Sequence, residues 1–260
     1  MNSFRFHSGT NHNNLSFLEH LEILRHYLLI AVAFFGAAVV LCFLFADPLI
    51  AILRAPLKDL DVSLYFLKPQ EKFFSYILLS TVGAFFIIFP VLIGMVIHFI
   101  FPALEKRERK GLFLFAVLIP LFLYGGAIFG YGFIIPFAMD FFLHFAGNDG
   151  IQPLWSIRSY LGITMSIVIA SGIAFQTPWI LLFFMKTGIL PTETLRKGRK
   201  YVVIIGFLCA AIISPPDIYT QLIIGTILYV LFELSLLLAK VLRITDNYYL
   251  DESKDKEEKE

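Results

Sequence analysis

The chain has 260 residues, of which 58% are hydrophobic and 16% charged, and its formal net charge is +1. This apolar excess is far from the balance of a soluble domain and indicates a membrane protein. A net charge so near zero gives no support for a nucleic-acid partner. Cys42 and Cys209 both lie in apolar runs, where we expect small buried side chains and not a disulfide or a redox site.

Six runs free of Asp, Glu, Lys and Arg predict an all-α membrane protein with six transmembrane helices. The first four runs exceed the ~20 residues needed to cross a bilayer. The last two hold 16 and 15 residues and predict short helices or, alternatively, a single re-entrant pair. The runs are His26–Ala46, Phe73–Leu104, Gly111–Met139, Ser159–Met185, Tyr201–Pro216 and Ile218–Phe232.

The two ends of the chain differ from this membrane domain, which we place at residues 16–243. Residues 1–15 are polar, and no small-residue cleavage site follows the first apolar run, so we expect that run to remain in the mature protein. Residues 244–260 carry the mixed-charge sequence DESKDKEEKE, which predicts a disordered tail.

The positive charges predict the orientation of the spans. With the N-terminus inside, 16 of the 21 Lys and Arg residues fall on the inner side and 5 on the outer side. By the positive-inside rule, both termini are predicted to be cytoplasmic. The first outer loop, between Asp47 and Lys72, contains the apolar sequence LYFL, and we expect it to fold as a small cap against the helix ends.

Prolines mark predicted turns and bends. Pro90, Pro120, Pro136 and Pro178 each remove an amide donor inside a span and should kink it, so that the helices form a curved scaffold. Pro56 is expected to set a turn in the first outer loop.

The usual catalytic signatures are absent from the sequence, which has no H-E-x-x-H, no G-x-S-x-G, no P-loop and no Asp pair within two spans. We therefore predict no catalytic residue, no cofactor and no metal site. His98 and His144 lie near the ends of spans, where packed or solvated side chains are commoner than ligands.

Polar residues within the apolar runs are few and therefore informative. Gln176 either makes an interhelical hydrogen bond or docks a partner helix, and the sequence leaves both open. Asp217 follows two prolines and serves as a helix N-cap or has a functional role. Glu233 precedes Lys240 by about two turns and is expected to extend toward the membrane surface.

Six segments in chain order together resemble the TatC family of the twin-arginine protein translocase, from about Phe17 to Arg243. The similarity implies a receptor for twin-arginine signal peptides that works with single-span TatA and TatB-type subunits, forms homo-oligomers within the receptor complex and uses the proton-motive force. The segments are HLEILR, FIFPALEKRER, GAIFGYGFIIP, FQTP, LRKGRKY and SPPDIYTQ.

The resemblance also implies site residues. Glu108 matches the family acid implicated in binding the arginine pair, and Phe99 the aromatic residue beside it; the alternatives are a screened surface charge and interfacial packing. Partner helices are expected to dock on the face that carries Gln176, Asp217 and Gln221.

The opening motif HLEILR departs from the family pattern. Its acidic position is Ile23 here, and Glu22 lies one residue away, about 100° around a helix. Glu19 lies one turn before Ile23 on the same face, although Ser16 and Glu19 also fit a capping box. We therefore expect Glu19 and Glu22, with Arg25 of the same motif, to assist a dominant Glu108.

Two other functions compete with this interpretation. A small secondary transporter or channel requires ionisable groups at mid-membrane, and the spans supply almost none. An intramembrane hydrolase requires a nucleophile and a base, which the sequence does not show. We expect the protein in a bacterial inner membrane or, alternatively, in a thylakoid or other organellar membrane.

Overall fold

The computed structural model describes residues 17–60, 62–100, 109–146, 154–186, 189–213 and 218–241. In these ranges the chain is almost entirely helical, which confirms the predicted all-α class. The helices are α1 (Phe17–Leu44), α2 (Ala46–Leu53), a 3₁₀ helix (Ala55–Leu60), α3 (Glu71–Ile100), α4 (Arg109–Phe129), a π turn (Gly130–Ile134), α5 (Ile135–Ala146), α6 (Ile157–Ala174), α7 (Thr177–Lys186), α8 (Thr192–Lys197), α9 (Arg199–Ile213) and α10 (Ile218–Val241).

Five helical stretches in the described part of the chain are long and apolar enough to cross a membrane. The predicted fifth span corresponds to α9, which has 15 residues and is short, as expected. The prediction of a short last helix is wrong, because α10 has 24 residues and continues through Glu233. The five stretches are Leu21–Leu44, Glu71–Phe99, Phe115–Phe145, Ile157–Lys186 and Ile218–Val241.

Helix α3 is central to the bundle and packs against α1, α4 and α6, while α10 packs against α7 and α9. One core lies around Leu79, Ile135 and Leu161, which are buried. A smaller core lies around Leu182 and Phe232. Helix α1 is the least enclosed span, with only 11% of its most apolar stretch buried.

The two cysteines occupy different environments. Cys42 is buried, as predicted, whereas Cys209 is exposed on α9, so the predicted burial is wrong for Cys209. In a membrane-spanning helix an apolar side chain is as stable against lipid as in the protein core. Hydropathy therefore does not distinguish a lipid-exposed position from a buried one.

Two of the predicted spans are interrupted near a proline. The third span changes from α4 through the π turn to α5, and Pro136 is the second residue of α5. The fourth span breaks at Phe175 and Gln176, and Pro178 is the second residue of the helix that follows, α7. A proline in the first turn of a helix requires no amide donor. By contrast, α3 and α4 continue on both sides of Pro90 and Pro120.

The segment between α1 and α3 folds as the predicted cap, which comprises α2, the 3₁₀ helix with Pro56, and β1 (Leu64–Tyr65). Strand β1 pairs in parallel with β2 (Trp155–Ser156), so that Leu64 faces Trp155. The hydroxyls of Tyr160 and Tyr131 donate to the backbone carbonyls of Leu53 and Ile52 at 2.5 and 2.6 Å. These bonds attach the cap to α6 and to the π turn.

Helices α4 and α6 approach closely at glycines. A Cβ atom added to Gly126 would lie 2.5 Å from the carbonyl oxygen of Ser171 and 2.9 Å from Cα of Gly172. The neighbouring Gly125 has nothing within 4 Å of the same hypothetical atom. The absence of a side chain at position 126 therefore sets the distance between the two helices.

Candidate functional site

An apolar groove lies between the N-terminal half of α1 and the C-terminal end of α3. It encloses about 160 Å³, and leucine, valine, methionine and aromatic side chains from both helices form its walls. The lining residues are Leu24, Tyr27, Leu28, Ala31, Leu92, Met95, Val96 and Phe99. We call this surface the α1–α3 groove.

A polar contact crosses the groove. The hydroxyl oxygen of Tyr27 lies 2.7 Å from Nδ1 of His98, a hydrogen-bonding distance, and the two rings meet edge to face with centroids 5.9 Å apart. Both helices belong to predicted membrane spans, and a bond between them satisfies polar groups that the apolar walls leave without partners.

The structure places part of the predicted binding set at this groove. Phe99 lines it and is half-buried, while Glu22 and Arg25 are exposed on α1 on either side of Ile23 and the lining residue Leu24. Glu19 lies in the first turn of α1. Glu108 lies outside the described residues, so the predicted dominant acid stays a prediction.

Gln176 occupies the break between α6 and α7 and is 9% exposed. Its Nε2 donates to the carbonyl of Ile119 in α4 at 3.1 Å, so the interhelical hydrogen bond weighed from the sequence is present. Its Oε1 is buried and accepts no hydrogen bond from the described residues. The indole Nε1 of Trp179, three residues later, is also buried and donates none to them. The break therefore retains unused hydrogen-bonding capacity.

Helices α9 and α10 are joined by a charged cluster. Nε of Arg199 lies 3.0 Å from Oε1 of Glu233, and Nη2 lies 3.0 Å from Oε2 of the same carboxylate. The Tyr229 hydroxyl donates to Oε1 at 3.1 Å. The predicted extension of Glu233 toward the surface stays a prediction, and the structure adds Arg199, whose side chain is 51% exposed, as its partner. Because its charge is paired, Glu233 does not end the helix.

The other two residues predicted for partner docking are Gln221 and Asp217. Gln221 is half-buried in α10, and its Nε2 lies 3.5 Å from the carbonyl oxygen of Phe207 in α9, a long hydrogen bond. Asp217 lies outside the described residues. The docking role of Gln176, Asp217 and Gln221 stays a prediction.

Glu71 forms a polar site that the sequence reasoning missed. It is the first residue of α3 and is 6% exposed, and its Oε2 accepts from the Leu67 amide at 2.9 Å and the Ser156 hydroxyl at 3.2 Å. The same Ser156 oxygen caps α6 by accepting from the amides of Arg158 and Ser159. An acid at a helix start was visible in the sequence, but its partner 85 residues away was not.

A bundle of apolar helices with polar contacts at helix ends and breaks defines a polytopic membrane protein. The family profile of the Sec-independent protein translocase protein (TatC) matches residues 19–226. The chain therefore belongs to the TatC family, as the sequence motifs indicated. Members of this family are components of a protein translocase rather than enzymes.

Relatives and solved structures support this assignment. The chain is 33% identical over 222 residues to a TatC protein of Magnetococcus marinus, covering 84% of this chain and 82% of that one. It is 34% identical to TatC of Rickettsia prowazekii, covering 86% and 92%. It is 31% identical to the chloroplastic protein of Pisum sativum, covering 81% and 60%.

A crystal structure of a twin arginine translocase receptor, TatC, superposes with a TM-score of 0.74 at 33% identity. The match covers 85% of this chain and 99% of that one. Together with bacterial and chloroplastic relatives and the membrane-spanning helices, it confirms the predicted location in a bacterial inner membrane or a related organellar membrane.

Proposed function

We propose that this protein is the receptor subunit of the translocase and that it binds twin-arginine signal peptides at the end of the bundle where α1 begins and α3 ends. The observation that carries the proposal is the α1–α3 groove, which places Phe99 beside the α1 turn that bears Glu22 and Arg25. In this proposal residues 16–243 form the membrane domain, and residues 1–15 and 244–260 are its polar ends.

The chemistry of the signal suits this end of the protein. Two guanidinium groups require carboxylates at the membrane surface, where charge-assisted and bidentate hydrogen bonds form. Glu22 is exposed on α1, and Glu108 follows the end of α3 at Ile100 by eight residues. Arg25 follows Glu22 by three residues, so the two exposed side chains are i,i+3 neighbours on the helix surface.

The apolar part of the signal would lie in the groove itself. Leu28 and Val96 belong to predicted membrane spans, and the rest of the chain leaves 63% and 51% of their surfaces uncovered. Contact with the side chains of a signal peptide or with lipid would cover them. Phe99 would pack against the consensus apolar residue that follows the arginine pair.

The partner subunits are assigned to a different surface. Helix α9 presents an apolar stripe of Ile204, Ile205 and Leu208, each at least 57% exposed, and packs against α10, which carries Gln221. The proposal adds Gln176 and Asp217 to this docking set. We assign this surface to TatA and TatB-type helices. The sparsely buried α1 is available for contacts between copies of this chain. The proton-motive force would drive export of the folded cargo.

Photo-crosslinking tests the proposal. Glu108→Gln, Glu22→Gln and Glu19→Gln would each be assayed for crosslinking of a twin-arginine precursor to a probe beside Phe99. Glu193→Gln, an exposed acid on α8, is the matched control. We expect the largest loss for Glu108→Gln, a smaller loss for Glu22→Gln and Glu19→Gln, and none for the control. Full crosslinking in a variant that combines Glu108→Gln, Glu22→Gln and Glu19→Gln would overturn the assignment.

A further inference from the structure

A second cavity, of about 400 Å³, opens at the end of the bundle opposite the α1–α3 groove. It lies where α3 and α6 begin and α5 ends. Its volume falls in the range of small-molecule sites, about 300–1,000 Å³. Most of its wall is apolar, and its larger lining residues are Leu67, Phe142, Phe145, Leu154, Trp155 and Ile163.

The cavity runs from the membrane edge into the apolar zone. The second and fourth spans begin at Glu71 and Ile157 and the third ends at Phe145, so Leu67 and Leu154 lie just outside the spans. Met139 and Ile163 line the inner part, six residues before Phe145 and six residues after Ile157. At ~1.5 Å per residue, this depth is about 9 Å.

The mouth of the cavity is apolar, and two cationic residues are next to its lining residues in the sequence. Phe145 and Leu154 are 77% and 60% exposed. Two exposed cations adjoin lining residues in sequence, Lys68 after Leu67 and Arg158 before Ser159, and neither forms an ion pair with another described residue. The Arg158 guanidinium lies 5.2 Å from the ring centroid of Phe74, near the start of α3.

The walls at the mouth are held in place by hydrogen bonds. Ser156 lines the cavity, but its hydroxyl already donates to the buried Glu71. The parallel pairing of Leu64 with Trp155 fixes the adjoining strand. The Tyr160 hydroxyl, also in the wall, donates to the carbonyl of Leu53. A mostly apolar cavity with these two hydroxyls engaged suits a hydrocarbon chain better than a polar solute.

We propose that this cavity binds one acyl chain of a glycerophospholipid, with the lipid phosphate against Arg158 and Lys68. The apolar depth takes the chain, and the two cations at the membrane edge match the position and charge of the phosphate. This binding site is separate from the proposed signal-peptide surface and does not depend on it.

Trp155 provides a direct probe because it lines the cavity and the chain has only two tryptophans. In Trp179→Phe protein in detergent, the remaining fluorescence would be titrated with phosphatidylglycerol brominated on its acyl chains. We expect quenching that saturates at a low lipid mole fraction. Trp155→Phe protein, which reports from Trp179, should show no saturable component.

Matched variants separate the cavity from the lipid shell. Ser159→Phe would fill the cavity, whereas Ser166→Phe places the same side chain on an exposed position of the same helix. We expect loss of saturable quenching in the first and retention in the second. Quenching that rises in proportion to lipid and is unchanged by Ser159→Phe would overturn the site.

The headgroup contact is tested without altering the cavity. Arg158→Gln with Lys68→Gln should shift saturation to higher phosphatidylglycerol concentrations, and this variant also serves if Ser159→Phe does not fold. A brominated alkyl maltoside, which has no phosphate, should bind more weakly than the phospholipid and be insensitive to these changes. Equal and equally saturable quenching by both ligands would overturn the phosphate assignment.

Discussion

The hydroxyl oxygen of Tyr27 lies 2.7 Å from Nδ1 of His98 and links α1 to α3 across the α1–α3 groove. Tyr27 itself lines the groove, and His98 directly precedes the lining residue Phe99. Because α1 is otherwise the most exposed span, this contact helps to define the width of the proposed signal-peptide surface.

Tyr27→Phe should therefore remove the hydrogen bond while keeping the aromatic ring in place, so that no cavity is created. We expect a loss of about 1 kcal/mol in the free energy of unfolding, the usual net value of one hydrogen bond. Thermal unfolding in detergent would measure it, and Tyr65→Phe, an exposed tyrosine in the cap, is the control. A double-mutant cycle with His98→Ala should show coupling between the two positions, and additive losses would contradict the contact.

Gly126→Ala and Gly125→Ala form a matched pair on α4. The methyl group at position 126 meets the backbone of α6, so we expect a loss of stability of about 1–3 kcal/mol from overpacking. At position 125 the methyl meets nothing, and higher helix propensity should make that change neutral or stabilising by up to ~1 kcal/mol. Melting temperatures of the two variants would be compared, and equal values would contradict the close α4–α6 approach.

Gln176→Leu and Gln176→Ala separate packing from docking. Leu keeps most of the volume and removes both the bond to Ile119 and the unpartnered Oε1, so we expect little change in stability. Ala removes volume as well and should be less stable by about 1–3 kcal/mol. Crosslinking to a TatB-type helix reports docking. Loss of that crosslink in a Leu variant with an unchanged melting temperature supports a docking role, and an unchanged crosslink argues against it.

Arg199→Gln tests the α9–α10 cluster. The pair is bidentate but Arg199 is half exposed, so we expect a loss of about 1 kcal/mol or less. The loss should shrink at 1 M salt, where the Debye length is about 3 Å. Unfolding would be followed at low and high salt, with Lys197→Gln, whose partner Glu193 is also exposed, as control. A loss that does not respond to salt would mean that packing, not charge, joins the helices.

The sequence predicted those features that depend on local composition. Long uncharged runs located the first four spans, and the apolar sequence LYFL in the loop after Asp47 indicated the cap. The last span was misjudged because Glu233 was treated as a boundary, whereas its pairing with Arg199, 34 residues earlier, allows the helix to continue. A charge within a span cannot be interpreted without its partner.

The site shows the same division. Family motifs brought attention to Phe99, Glu22 and Arg25, and the structure places them at one end of one helix pair. The motifs did not reveal the Tyr27–His98 contact or the cavity lined by Trp155, because both depend on how segments that are distant in the sequence meet in the fold. Two-residue strands such as β1 and β2 carry no periodicity that a sequence pattern could detect.

The attachment of the cap has a consequence for biosynthesis. The carbonyl of Leu53 receives its hydrogen bond from Tyr160, 107 residues later in the chain. At a translation rate of ~5–20 residues per second, the cap waits on the order of 5–20 s for its partner. A nascent chain that stops before Trp155 thus has the cap sequence without its closing strand. We therefore expect the cap to become resistant to protease only after the start of α6 has been made.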